Sequence, residues 1–268
     1  MKLEVCLSCM GEKDLSIIEK TGIQTDALVI SQCDEEGFVQ ECTPKGVHRL
    51  LMTQQRGLSN SRNMALDNAK GDILLLCDDD EKLFPFHVWT ILSAYERLDA
   101  DIICFRFANQ PSRLAQREQR LNKWTCLRIA SWQITMRKDA IKRANVRFDP
   151  RMGAGSGNGA GEEVQFLRDC LSAGLKAWYV PEDIGTVGNS YYDTGEAEGT
   201  WFNGFDEKFF YQRGVSTRHT LGLAPSIAYA AYYALAKRKM YAKEMNPVQA
   251  FAHTLKGIVA NDIDRQEV

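Results

Sequence analysis

Residues 71–81 read Gly71-Asp72-Ile73-Leu74-Leu75-Leu76-Cys77-Asp78-Asp79-Asp80-Glu81, an apolar run that stops on four acids. A run without polar alternation is the pattern of a strand covered on both faces of a parallel sheet. The neighbouring segments agree with that reading. Val5 to Cys9 and Ala27 to Ser31 are short apolar strands with a helical stretch, Asp14 to Lys20, between them, and Leu50 to Thr53 is a third strand. Ser59 to Ala69 reads as a helix with Ser59 or Asn60 at its cap and Gly71 just past its end. Downstream the pattern predicts a helix over Val88 to Leu98, strands at Asp101 to Phe107 and Trp132 to Met136, and a short helix over Asp139 to Ala144. A helix over Glu162 to Ala173 follows, then a last strand from Ala177 to Val180 ended by Pro181. Strand–helix alternation of this kind predicts an α/β fold around a mostly parallel sheet.

Composition narrows the class. The 268 residues are 44% hydrophobic and 25% charged with a net charge of −2, which excludes collagen-like, disordered and disulfide-scaffold chains. A near-neutral chain lacks the basic footprint of a nucleic-acid binder, so no nucleic-acid partner is expected. The N-terminus MKLEVCLSCM is too short and too mixed for a signal peptide, and the eight cysteines are read as buried small hydrophobes in a reduced, cytoplasmic protein. Cys6 and Cys9 form a CxxC, but no second pair follows at zinc spacing.

The acids after Cys77 carry the functional signal. In open α/β sheets ligands sit outside the carboxyl ends of the strands, where Asp78, Asp79, Asp80 and Glu81 fall. Carboxylates packed together repel unless a cation or solvent relieves them, and hard divalent ions take oxygen ligands together with substrate phosphates. In extended backbone Asp78 and Asp80 would point the same way, one toward a ribose hydroxyl and one toward a metal on a diphosphate. A solvated acidic turn is the alternative reading.

The stretch RGLSNSRNMALDNAKGDILLLCDDDE resembles the family 2 inverting glycosyltransferases of GT-A fold, with Gly57, Arg62, Asn63, Ala69, Gly71, Asp72, Asp78 and Asp80 at the family's motif positions. The segment ITMRKDAIKRANVRFDPRMGAGSGNGAGEEVQFLRDCLSAGLKAWYVP resembles the family's acceptor half. The resemblance spans about the first 190 residues. It implies a GT-A-like three-layer sandwich over 1–190, with a nucleotide-sugar half to about 100, an acceptor half to about 190, and a mainly helical extension over 191–268 packed on it. It also implies a nucleotide-sugar donor, most simply a UDP-sugar, and a divalent metal (Mn²⁺ or Mg²⁺). The reaction would be a single in-line displacement onto a saccharide or lipid-linked acceptor, in surface-polysaccharide assembly. On this pattern Asp80 and Asp78 hold the metal, with Asp78 and Asp79 also toward the donor. Glu163 is the general base and Glu162 its orienting neighbour, both at a helix N-terminus whose dipole favours ionised carboxylates.

The family's base-reading acid after the second strand is replaced by Gln32 and Asp34, and Gln32 offers a donor and an acceptor to a uracil edge. The histidine that often completes the metal site is missing from Gly185-Thr186-Val187-Gly188-Asn189, and the nearby His219 reads as structural. Arg62 balances the acids or lies on a helix surface. The glycine-rich loop Gly153 to Gly161 would admit the acceptor and could close over the sugar. Trp124, Trp132, Tyr191, Tyr192 and Trp201 are candidates to stack on sugars, and the basic stretch Arg113 to Arg128 to bind a phosphorylated or lipid-linked acceptor. The uncharged stretch Thr220 to Ala236, followed by Lys237, Arg238, Lys239 and Lys243, is too short to span a bilayer; it packs on the protein itself or lies peripherally on an anionic membrane face. Two rival functions remain at this stage. A nucleotidyltransferase would need a glycine-rich basic loop, for which Cys9-Met10-Gly11-Glu12-Lys13 is a poor candidate; the other rival is a non-catalytic sugar-nucleotide-binding protein.

Overall fold

Side chains on a strand alternate between its two faces, so the apolar run divides into two sets. Ile73, Leu75 and Cys77 enter one hydrophobic core while Leu74 and Leu76 enter another on the opposite face. The first strand divides the same way, with Val5, Leu7 and Cys9 on one side and Cys6 on the other. Cys6 and Cys9 therefore cannot share a ligand, and burial pushes the Cys9 thiol up to about 12.

The computed structural model describes residues 1–188 and 204–264. Its main sheet contains β1 (Leu3–Met10), β2 (Asp26–Gln32), β3 (Gly37–Thr43), β4 (Gly46–Thr53) and β5 (Ile73–Asp78). After β6 (Glu81–Leu83), which lies outside it, the sheet continues with β7 (Ile102–Arg106), β8 (Gln119–Arg120), β9 (Ile134–Arg137) and β10 (Ala177–Asp183). The strand order is β3-β4-β2-β1-β5-β9-β7-β10-β8. β1, β2, β4, β5, β7 and β10 run one way, and β3, β8 and β9 oppose them, so the sheet is mostly parallel. β11 (Gly185–Val187) pairs with β6 in a second, two-stranded sheet.

Helices cover both faces. α1 (Ile17–Lys20) and α3 (His87–Arg97) supply Ile17, Ile18, Ile91, Ala94 and Tyr95 to one core. α2 (Leu58–Asn68), α4 (Lys138–Ala144) and α5 (Glu162–Ser172) supply Ala65, Ile141, Phe166, Leu167 and Cys170 to the other. The result is a three-layer α/β sandwich. Three longer helices follow: α6 (Glu207–Leu221), α7 (Leu223–Ala236) and α8 (Pro247–Ala260). They enclose their own aromatic cluster of Phe205, Phe210, Tyr233 and Tyr241. α6 and α8 meet backbone to backbone, since a methyl group on Gly214 or Gly257 would lie 2.1 Å or 2.0 Å from a carbonyl oxygen of the other helix. The boundary expected near residue 190 lies outside the described residues.

Four local readings need correction. β3 is an edge strand with one paired side and mostly solvated side chains, so it lacks the apolar signal that marked the others. The helix read over Asp14 to Lys20 shrinks to the single turn of α1. α2 starts one residue before its expected cap, with Gly57 as N-cap, and Ser59 Oγ donates instead to the Met152 carbonyl at 2.7 Å. β10 runs through Pro181 to Asp183, its pairing with β7 skipping from Tyr179 to Asp183 around a residue that has no N–H to give.

Candidate active site

β5 delivers Asp78 at its carboxyl end, and the chain then turns at Asp79 and Asp80 before β6. The extended arrangement expected for Asp78 and Asp80 is thus replaced by a tight turn. Its carboxylates crowd one another. Burial, then the charges of Asp78 and Asp79, push Asp80 up to about 6; burial and Asp78 raise Asp79. Glu81 is buried, accepts from the Asp78 N–H at 3.1 Å, and is raised well above the carboxylate range by burial and its acidic neighbours. Gly188, which follows β11, donates its N–H to the Asp80 carbonyl at 2.5 Å, so the segment without a histidine closes on the backbone of the turn.

The counter-charge comes from α2. Arg62 is buried, and its Nη2 donates to both Asp78 oxygens at 3.2 Å while Nη1 donates to Glu162 Oε1 at 2.8 Å. The Phe148 ring centroid lies 5.7 Å from its guanidinium carbon, and Phe148 stacks in turn on Phe166 at 4.1 Å. Asn63 fixes the same wall, exchanging hydrogen bonds of 2.8 Å and 2.9 Å with the Phe148 backbone. The Arg-Asn pair of α2 therefore has two jobs: arginine joins the acids and asparagine clamps the Phe148-Asp149 element.

Glu162 and Glu163 open α5, but they differ. Glu162 is buried and committed to Arg62. Glu163 is part-buried and pushed up to about 8, by burial first and the Glu162 charge second, against the opposing pull of backbone N–H groups and Arg62. The helix start that was expected to keep it ionised is outweighed.

The glycine-rich loop is pinned. Leu58 N–H donates to the Ala154 carbonyl at 2.9 Å, and Gly155 approaches Gly57 so closely that an added methyl would lie 3.3 Å from its Cα. On the other side the buried Asn158 donates to the Ile263 carbonyl (3.3 Å), Arg151 pairs with Asp264 (2.8 Å), and His219 meets Asp149 at 3.0 Å. Burial alone would raise Asp149, but hydrogen bonds from Arg151 and the charges of Arg151 and His219 bring it down to about 2. His219 is accordingly a brace.

At the carboxyl ends of β1 and β2 an open cleft of about 530 Å³ is lined by Met10, Lys13, Gln32, Asp34, Glu35 and Arg56. Gln32 is buried at its base, whereas Asp34 is exposed and paired with Arg56 at 2.6 Å. Such a volume suits a small-molecule ligand. Arg106, Arg113, Arg128 and Trp132 surround only about 30 Å³, room for one water and no sugar ring. Trp124 is exposed and Trp132 packs on the core, while Tyr191, Tyr192 and Trp201 lie outside the described residues.

A family model for glycosyl transferase family 2 matches residues 15–155, more than half of the chain. The chain belongs to that family. It is a glycosyltransferase, and the nucleotidyltransferase and non-catalytic readings fall away. Among solved structures it is similar to S. aureus TarS 1–349 in complex with UDP-GlcNAc, at 12% identity and a TM-score of 0.58 over 91% of this chain and 74% of that one. It is also similar to the mannosyltransferase PcManGT from Pyrobaculum calidifontis in complex with GDP-Man and Mn²⁺, at 11% identity and a TM-score of 0.56 over 99% and 88%. At these identities the likeness shows a shared GT-A-type fold. No curated protein matches the chain.

In this glycosyltransferase Arg62→Met leaves Asp78 and Glu162 without their counter-charge. The variant should lose about 3–5 kcal/mol of stability in urea denaturation, the usual cost of breaking one side of a buried pair. A loss under about 1 kcal/mol would show that the two carboxylates do not depend on Arg62.

Proposed function

We propose that the protein is an inverting glycosyltransferase that moves a sugar from a UDP-sugar to a saccharide or lipid-linked acceptor by one in-line displacement, in polysaccharide assembly. The observation that carries this reading is Arg62, which ties the donor-side acid Asp78 and the acceptor-side acid Glu162 into one site. Gln32 at the base of the cleft has the donor and acceptor groups to match a uracil edge, and Asp34 lies at the rim for the nucleoside.

The turn suits a divalent cation, Mn²⁺ or Mg²⁺. Among the described residues no three His, Cys, Asp or Glu side chains converge on a metal position, so the protein offers an open set, Asp80 with Asp78 behind it, that the donor's diphosphate would complete. The carboxylates of Asp79 and Asp80, raised by burial first and by their acidic neighbours second, fit that assignment, since a cation would favour their charged forms. When bound, the ion would neutralise charge building on the departing diphosphate. The protein's own groups do the rest. Asp78 and Arg62 fix the wall of the donor site, and Glu162, held by Arg62, sets the start of α5. Glu163 takes the proton from the acceptor hydroxyl through a carboxylate oxygen.

A base held at about 8 is roughly one-tenth ionised at pH 7. Transfer, as kcat/KM, should therefore rise tenfold per pH unit at low pH and level off above about 8. Glu163→Gln should keep UDP binding and lose about 10²–10⁴-fold in transfer. Near-normal turnover in that variant would move the base elsewhere.

The same reading includes a peripheral contact with an anionic membrane. α7 contains no charged residue, and Leu223, Ile227, Tyr232 and Leu235 are exposed on it while Ala230, Tyr233 and Ala234 are buried. The exposed Lys237, Arg238, Lys239 and Lys243 follow at once and complement acidic headgroups. Among the described residues no helix is long and apolar enough to cross a membrane. The protein should co-sediment with phosphatidylglycerol vesicles but not phosphatidylcholine vesicles, and Leu235→Glu should weaken that binding. Equal behaviour with both lipids, or a dimer broken by Leu235→Glu, would replace the membrane with another surface.

A further inference from the structure

The helical extension carries a cation that the chemistry above does not use. Arg213 on α6 has its guanidinium carbon 4.9 Å from the Phe209 ring centroid and 4.2 Å from that of Tyr233, and Nη1 donates to Tyr229 Oη at 2.9 Å. Its Nε is buried without an acceptor, and it forms no ion pair among the described residues. Part of the residue still reaches solvent. Three aromatic side chains thus hold a planar donor fork in one orientation and, among the described residues, leave it without an ion-pair partner. Arginines packed only for support usually find a carboxylate, because an unpaired cation is costly away from water.

The position of that fork matters. α6 packs against α5, the helix that Glu162 and Glu163 open. The same helix reaches the loop before α5 through Val215, which shares a cluster with Met152 and Ile263, and a methyl on Gly161, the N-cap of α5, would lie 3.4 Å from Met152 Cε. The Glu163 carboxylate is near enough to help hold Arg213 protonated, after the Tyr229 and Tyr233 hydroxyls and against the effect of burial. The extension therefore brings a guanidinium with no ion pair among the described residues to the side of the site where α5 begins, while Arg62 is already committed to Asp78 and Glu162.

We propose that Arg213 binds an oxyanion of the acceptor, a phosphate or carboxylate group near the hydroxyl presented to Glu163, so that the natural acceptor is an anionic saccharide. This rests on the assignment of Glu163 for which part of the site the acceptor enters. The planar fork suits such a group because it can donate two parallel hydrogen bonds to it.

The test is binding without turnover. Methyl glucoside, glucose 6-phosphate and glucuronate are titrated calorimetrically into the protein holding UDP and Mn²⁺, in wild type, Arg213→Lys and Arg213→Gln. Wild type should favour the two anionic sugars by about tenfold or more, the worth of a charge-assisted hydrogen-bond pair. Arg213→Gln should erase that preference and Arg213→Lys should keep part of it, with UDP affinity unchanged in both. A wild type that does not discriminate, or a preference that survives in Arg213→Gln, overturns the proposal. Loss of UDP affinity in a folded Arg213→Gln also overturns it, by assigning the arginine to the donor's diphosphate. If Arg213→Gln does not fold, Arg213→Lys decides: a weakened preference supports the proposal and an unaltered one contradicts it. Because no step is catalysed, the outcome is independent of whether Glu163→Gln retains turnover.

Discussion

A single buried guanidinium organises this molecule's chemistry. Arg62 is shared between a carboxylate at the end of the central strand and one at the start of a helix a hundred residues later. Without it Asp78 and the buried Glu162 would lose their counter-charge, and without them the arginine would be a buried, unpaired cation. The sandwich can be understood as the frame that makes this three-way contact. β5 brings Asp78 up between two cores, α2 crosses beside it with Arg62 facing inward, and the Phe148-Asp149 element and glycine loop return the chain so that α5 begins at Glu162.

That arrangement separates two carboxylates that are adjacent in sequence. Glu162 is spent on structure, and Glu163 beside it is left with a raised proton affinity. The acids of the Asp79-Asp80 turn are raised too, by burial first and then by the charge of Asp78, and positive charge at the turn would relieve that repulsion. On the proposed assignment one motif would serve a cation and the other a proton. The C-terminal helices take part as well, bracing the loop through His219, Ile263 and Asp264 and bringing Arg213 alongside.

Much of this was legible in the sequence. The unbroken apolar run named the central strand because burial on both faces leaves no polar residue in it. Asp78 and Asp80 stood out as charges beside a buried strand, while Arg62, Glu162 and Glu163 were singled out by the resemblance to the family's motifs. Other parts were hidden because they depend on contacts distant in sequence. Nothing local tells that Arg62 meets Glu162, that Glu163 is raised instead of lowered, or that the glycine loop is pinned between Gly57 and Ile263. β3 escaped notice because an edge strand keeps its polar face in water. Arg213 gave only a faint cue, one arginine among Phe209, Phe210 and Tyr211, and its aromatic setting comes from Tyr229 and Tyr233 on the following helix.

The proposed chemistry depends on the acidic turn after β5 holding a cation against the donor's diphosphate. Calorimetric titration of UDP, with and without Mn²⁺, into wild type and Asp80→Ala tests this most directly. Binding should require Mn²⁺ in wild type and fall away in Asp80→Ala. UDP that binds equally well without the ion, or to Asp80→Ala as tightly as to wild type, would contradict it.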